Sequence, residues 1–387
     1  MAESHDGRIR VMRIIARMNV GGPAVQVSGL MRGFDATKFD HRLITGFCAP
    51  DESDYLETVA TDVNALRIVG LGRSISPRSD LAALLRIIKE IHKFRPDVIH
   101  THTAKAGVIG RLASILSGHH SIRVHTFHGH LLHGYFGAFK TNLVVLVERT
   151  LALFTTQLLA VGKKVMEELL DAGIGKTNKF AVMPPGLALG TLPTREVACA
   201  NLGIKPSSIY CAFVGRITQI KRPDRFLDVV SELQRRGSKV HFIVAGAGDL
   251  LEYCKERVAR EKLPVTFLGW REDVETVLAA SDLLLLTSDN EGTPLSLIQA
   301  GMAKLPVVAT QVGSVAEIVV DGETGLLTVL SVKDLADAVE KLETHSNLRH
   351  EIGVAAHHYT MARYGVDRLV NDHQELYMKL LKNRAKS

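Results

Sequence analysis

Cysteine, tryptophan and long apolar runs are all scarce in this chain. Its 387 residues hold four Cys and one Trp, with aromatics at 5%. Cys48, Cys199, Cys211 and Cys254 show no CxxC spacing, which argues against a disulfide framework and against a cysteine zinc site. The longest apolar region, residues 143–161, is broken by Glu148 and Arg149 where a bilayer centre would lie, so it does not read as a membrane span. The opening MAESHDGRIR has none of the apolar core of a signal peptide. No run of four or more basic residues occurs, and with so few aromatics this weighs against a nucleic-acid partner. The expectation is a reduced, cytoplasmic protein.

What is present is an ordinary globular composition, 46% hydrophobic and 23% charged. The length suits two or three domains of roughly 100–200 residues each. Charge is unevenly spread. Residues 1–186 carry 23 Lys+Arg against 16 Asp+Glu, and the remainder 24 against 25. A basic first half suits a phosphate-bearing substrate or a membrane surface, and scattered solvated charge accounts for it equally well.

Short β-branched or aliphatic runs alternate with helical patterns. In the first half they fall at 10–15, 41–45, 65–68, 97–100, 123–126 and 157–160; in the second, at 209–214, 239–245, 265–268, 283–287, 306–309 and 325–328. Continuous apolar strands spaced by helices predict α/β domains, doubly wound, with parallel sheets covered on both faces. Pro184, Pro185 and Gly186 mark the joint, because they continue neither a helix nor a central strand. The predicted division is 1–185, 186–360 and a final segment 361–387, the two larger parts facing each other across a cleft. Ligands of such sheets bind beyond the carboxyl ends of the strands, so the motifs there carry the most information.

The first strand runs into Asn19-Val20-Gly21-Gly22-Pro23-Ala24 and a helical pattern. Glycines admit an anion close to the backbone, and a helix start offers free N–H groups, although the same turn is common as packing geometry. A sharper signal is VGRITQIKRPD at 214–224. There Gly215-Arg216 ends a strand, and Lys221 stands five residues later, before a helix. Two cations in that place can neutralise a diphosphate, Arg as a fork and Lys as a point charge. Gly246-Ala247-Gly248 reads as a tight turn into a helix. Finally, Asp289-Asn290-Glu291-Gly292-Thr293-Pro294-Leu295 precedes another helix; its carboxylate can accept from hydroxyls while the loop amides face an anion.

Taken in order, these segments resemble the retaining glycosyltransferases of family 4, with the GT-B fold. The resemblance covers almost the whole chain. It lies in the Gly21-Gly22 loop, HTHTAKAG at 100–107, TFHGH at 126–130, VGRITQIK, FLGWREDV at 267–274, NEGTPLSLIQAGMA and the run 307–327. It implies transfer of a sugar from a nucleotide diphosphate-sugar, UDP preferred, without a metal or other cofactor. Arg216 and Lys221 would hold the diphosphate, Glu291 the sugar hydroxyls, and His128 would reach the sugar. Gly292, Thr293, Pro294 and Leu295 would position the donor beside Gly215, and Gly269, Trp270 and Arg271 would frame the base. Gly21 and Gly22 would lie near the diphosphate. His102 and Lys105 are expected to contact acceptor or donor.

One position departs from the pattern. Where the family carries a second Glu, eight residues after the first, this chain has Gln299, which keeps an acceptor oxygen and loses the charge. The expected acceptor is a saccharide or polyprenyl-linked saccharide used in cell-surface polysaccharide assembly. Such an acceptor fits peripheral contact with the inner face of the membrane, through residues 135–140 and the helix starting near Thr141. Residues 358–381 read as a helix crossing back to the first domain. Two other functions fit the same motifs less well: a nucleotide-sugar sensor with little catalysis, resting on Gln299, and a GT-B nucleotide-sugar epimerase.

Overall fold

The computed structural model describes residues 7–129 and 138–385, with side chains given from Thr141 in the second stretch. The chain divides into two units, residues 1–187 with 365–387, and residues 188–364. The first passage between them therefore falls two residues beyond the Pro185–Gly186 joint. Pro184 and Pro185 stay in the first unit, where their carbonyls accept from Arg368 Nη2 at 2.8 Å each. The return falls at Gly365 rather than at residue 361, because the helix Ser346–Tyr364 runs on to Tyr364, whose hydroxyl donates to the Glu317 carbonyl.

The first unit holds a parallel sheet of β1 (Ile9–Ile15), β2 (Phe39–Thr45), β3 (Ala65–Arg67), β4 (Val98–His102), β5 (Ile122–Phe127), β6 (Gln157–Ala160) and β7 (Phe180–Val182). Their spatial order is β3-β2-β1-β4-β5-β6-β7. Alternate residues of β1 serve opposite faces, as the two-residue strand period requires. Met12 and Ile14 pack with Ile87 and Ile91 of the helix Pro77–Phe94. Val11 packs with Leu369, Val370 and Tyr377 of the helix Val366–Arg384. That last helix lies close to the helix Gly22–Gly33 because two glycines make room. A Cβ on Gly29 would lie 2.9 Å from Val366 Cγ2, and one on Gly33 2.4 Å from Val370 Cγ2.

The second unit holds β8 (Tyr210–Val214), β9 (His241–Ala245), β10 (Val265–Gly269), β11 (Leu283–Leu286), β12 (Val307–Thr310) and β13 (Leu326–Thr328). The order β10-β9-β8-β11-β12-β13, all parallel, is that of a Rossmann sheet. All four residues of β11 are buried, as expected of a strand covered on both faces. In each unit the strand order reverses once, between β1 and β4 and between β8 and β11. The loops leaving those strand pairs open a crevice at their carboxyl ends.

Candidate functional site

In the second unit the reversal is stitched together by side chains from both loops. Thr287, just past β11, donates its hydroxyl to the carbonyls of Lys221 and Arg222, at 3.1 Å each. The Asp289 amide donates to the Ile220 carbonyl at 3.0 Å. The Asp289 carboxylate accepts from Arg222 at 3.1 Å and from Arg225 at 2.7 Å. Two turns with almost no regular structure are thereby held in register.

This frame sets Lys221 against Glu291. Lys221 Nζ lies 2.5 Å from Glu291 Oε1, which also accepts from Ser288 Oγ at 2.5 Å. Glu291 is only 8% exposed. Its backbone carbonyl takes the Ser314 amide at 2.9 Å, and Gly313 has to be glycine there, since a Cβ would come within 2.0 Å of that carbonyl at φ 51°. Arg216 stands apart: it is exposed, and its side chain forms no hydrogen bond or ion pair with another of the described residues. The hydroxyl oxygens of Thr218, Thr293 and Ser314 are buried and, among the described residues, without a partner. Buried polar groups are seldom left so, and these three mark polar capacity still to be filled.

Space at the strand ends separates two kinds of glycine. A Cβ on Gly246 would meet the Gly215 carbonyl at 1.9 Å, and one on Gly248 the Ile217 carbonyl at 2.2 Å, so that turn is required by packing. Around Gly21 and Gly215 the nearest atom to a Cβ would be 3.9 Å away, and around Gly269 nothing lies within 4 Å. The protein's own packing leaves the space beside these three open. Trp270 follows Gly269 and is 45% exposed, while Arg271 forms a two-pronged pair with Asp273 that holds this carboxyl below the usual range. Pro294 caps the helix Leu295–Met302, which carries the half-buried Gln299 and begins just past Gly292 and Thr293. In the first unit, Gly21 caps the helix that starts at Gly22.

Strand β4 carries three consecutive polar residues, His100, Thr101 and His102, all fully buried. His100 is hydrogen-bonded through Nδ1 to Tyr377 Oη at 2.6 Å and through Nε2 to Thr126 Oγ1 at 2.7 Å. Thr101 Oγ1 meets His125 Nδ1 at 2.8 Å. His102 Nδ1 lies 3.0 Å from Nε2 of His128, the residue just past β5. Burial pushes His128 down to about 4 and holds His100, His102 and His125 well below the ordinary histidine value. These imidazoles are neutral at pH 7.

The other two expected contact residues lie in the first unit. His102, the last residue of a central strand, is fully buried with its ring turned onto His128. Lys105 is engaged with Asp80 at 2.7 Å and with the Ser74 carbonyl, and its side chain is 14% exposed. His130, His133 and residues 135–137 lie outside the described residues. Arg222, Asp289 and His100 stand within the quoted motifs but have no role assigned by them, and Ser288, Arg225 and Tyr377 fall outside those motifs. The four charged or polar residues beside VGRITQIK and NEGTP had a signal in their adjacency, whereas Tyr377 lies 277 positions from its partner His100. Among the described residues, no group of three or more His, Cys, Asp or Glu is arranged to hold a metal ion.

Two Rossmann-like units, one with a cation–carboxylate pair at its strand reversal, define the class of GT-B glycosyltransferases. Residues 21–186 match the family model described as "Glycosyl transferase 4-like domain", and residues 195–359 that of "Glycosyl transferases group 1". The chain is 30% identical over 288 residues to the Escherichia coli UDP-Gal:alpha-D-GlcNAc-diphosphoundecaprenol alpha-1,3-galactosyltransferase, covering 71% of this chain and 72% of that protein. It is 25% identical to the Staphylococcus aureus capsular polysaccharide biosynthesis glycosyltransferase CapM, over 78% of this chain and 81% of that one. This chain belongs to the family 4 glycosyltransferases. In fold it is similar to Anabaena HepE, solved in complex with UDP, at TM-score 0.81 and 19% identity, covering 96% of this chain and 100% of that one. Sucrose-phosphate synthase of Thermosynechococcus elongatus gives 0.80 at 17% identity, over 97% and 100%.

Proposed function

We propose that the protein moves a hexosyl or N-acetylhexosaminyl group, with retention of anomeric configuration and without a metal ion, from a UDP-sugar to a saccharide or polyprenyl-linked saccharide during cell-surface polysaccharide assembly. The observation that carries this reading is the Lys221–Glu291 pair at the β8–β11 reversal, with exposed Arg216 on the same loop. As the bond from the sugar C1 to the diphosphate breaks, negative charge builds on the leaving phosphate. Arg216 supplies a planar fork for it and Lys221 a point charge, so the required cations are side chains. Glu291 is assigned to the sugar hydroxyls, with the amides from Gly292 to Leu295 beside it. Gly269, Trp270 and Arg271 are assigned to the base, and Gln299 to the ribose.

In the first unit, Gly21 and Gly22 are assigned to the diphosphate and His128 to the sugar. The relatives support the choice of donor and acceptor class, since the E. coli protein named above uses UDP-Gal and an undecaprenyl-linked sugar by its name. Contact with the cytoplasmic face of a membrane is assigned to the helix Ala138–Leu153, which exposes Leu143, Leu146 and Leu153 with Phe154 beside it. No helix among the described residues is long and apolar enough to cross a membrane.

The test is thermal stabilisation by UDP-, GDP- and ADP-sugars and their nucleotides, followed by an acceptor search with the donor that binds. Ligand at 100 times its Kd adds about 2.7 kcal/mol. Selective stabilisation by UDP-sugars is expected; no shift with any of them overturns the reading.

A further inference from the structure

We infer that His102 is a positioning residue for His128: its Nδ1–H donates to His128 Nε2 and fixes His128 as the tautomer that carries its proton on Nδ1. This rests on the reading of His128 as a sugar contact. It goes further by stating which kind of hydrogen bond His128 has to offer.

The argument starts at an atom with nothing to bind. His102 is fully buried, and among the described residues its Nε2 has no partner. A neutral imidazole carries one proton, on one nitrogen or the other. A proton on Nε2 would leave a buried N–H unpaired, which proteins tolerate less readily than an unfilled lone pair. The proton therefore belongs on Nδ1, the nitrogen 3.0 Å from His128 Nε2. His128 Nε2 must then accept, and the proton of that ring sits on Nδ1.

The plane of His102 is itself held. Its ring stacks on that of His100 with centroids 4.1 Å apart and 29° between planes. His100 is pinned at both nitrogens, by Tyr377 and Thr126. At the Tyr377 end, Arg13 Nη1 gives its hydrogen to Tyr377 Oη at 2.9 Å, since a guanidinium only donates. Residues from β1, β4, β5 and the helix Val366–Arg384 thus hold the pair that decides one proton. With Nε2 occupied and a hydrogen on Nδ1, His128 donates to a hydroxyl or phosphate oxygen and does not take a proton from one.

The direct test is nitrogen NMR of the full chain labelled with ¹⁵N-histidine, with the His128 signals identified by their loss in His128→Gln. A proton on Nδ1 of His128 is the expected result, and a proton on Nε2 overturns the inference without any variant at His102. Affinities for UDP-galactose, UDP-glucose and UDP-N-acetylglucosamine are then compared with that for UDP. His102→Leu should weaken the UDP-sugar that binds by up to about tenfold, the scale of one lost hydrogen bond, and leave UDP unchanged. His102→Asn, whose amide nitrogen replaces Nδ1, should recover most of the loss. Equal affinities in parent and His102→Leu, or no recovery with Asn, also overturn it. Unchanged UDP-sugar affinity in His128→Ala removes instead the sugar contact, and the tautomer is still decided by NMR.

Discussion

Lys221 and Glu291, 70 positions apart in sequence, meet at 2.5 Å across the one point where the second sheet reverses its strand order. Each neutralises the other in the ligand-free protein, and each is also the group we assign to a different part of the donor. Replacing Lys221 with Ala leaves a mostly buried carboxylate without this cation, still accepting from Ser288. The loss of an acceptor's partner there is expected to destabilise the protein by about 1–3 kcal/mol. Turnover should also fall by about 10²–10³ through lost stabilisation of the leaving phosphate. Urea melts and initial rates check both, and a variant with parental turnover removes Lys221 from the diphosphate.

Arg216 gives the contrasting case. Its side chain is exposed and bound to none of the described residues, so Arg216→Ala should change stability by no more than about 0.5 kcal/mol. Turnover is nonetheless expected to fall by about 10²–10³. The pair of variants separates the two cations: both lose activity, and Lys221→Ala alone lowers the urea midpoint. Equal midpoints would place Lys221 outside the frame described here.

Much of this was legible before any coordinates, for a physical reason. Strands such as Gln157–Ala160 are short apolar runs between helical patterns, and burial on both faces demands that composition. The misses have reasons too. Strand β7, Phe180–Val182, is an apolar run of only three half-buried residues at a sheet edge, too short to stand out as a strand. Strand β4 continues through Thr101 and His102, past the expected end at residue 100; the ladders to β1 and β5 carry the backbone on while the polar side chains make their own hydrogen bonds. Gly107, within HTHTAKAG, is spent on packing, since a Cβ there would meet His125 Cε1 at 2.5 Å. Spacing along a chain does not report such long-range partners.

Glu148 interrupts an otherwise apolar stretch, and its reason is Arg111. Both side chains are 1% exposed, with Arg111 Nη2 at 2.7 Å from each carboxylate oxygen. Removing one partner strands a buried charge, so Glu148→Ala should cost about 3–5 kcal/mol in urea unfolding. Replacing both with Leu should recover most of that loss. A double variant as unstable as Glu148→Ala would show that packing, rather than the stranded charge, sets the cost.

The proposed ribose contact makes Gln299 a matter of affinity rather than of chemistry. A carboxylate accepting from ribose hydroxyls forms stronger hydrogen bonds than an amide oxygen does. If Gln299 faces the ribose, Gln299→Glu should tighten UDP binding by about 3–10-fold, the equivalent of roughly 1 kcal/mol. Calorimetry with UDP measures this directly. Unchanged or weaker binding would show that the amide is the better partner in this site and would withdraw the ribose assignment.

The buried histidines predict a particular acid sensitivity. His41 and His373 are pushed down to about 3 and His128 to about 4, while His100, His102 and His125 are also held well below the ordinary value, burial being the largest cause throughout. In the unfolded chain all six titrate near 6.5. Between that value and their folded values the unfolded state binds more protons, so stability rises with pH across this window and falls as pH drops through it. Each group adds up to about 1.4 kcal/mol per pH unit. Urea unfolding at pH 5, 6, 7 and 8 should therefore give similar stability at 7 and 8 and a steep fall from 6 to 5. The slope should correspond to an uptake of several protons on unfolding. A flat profile from 8 to 5 would mean that these imidazoles are hydrated in solution, and the neutral His102–His128 pair would lose its basis.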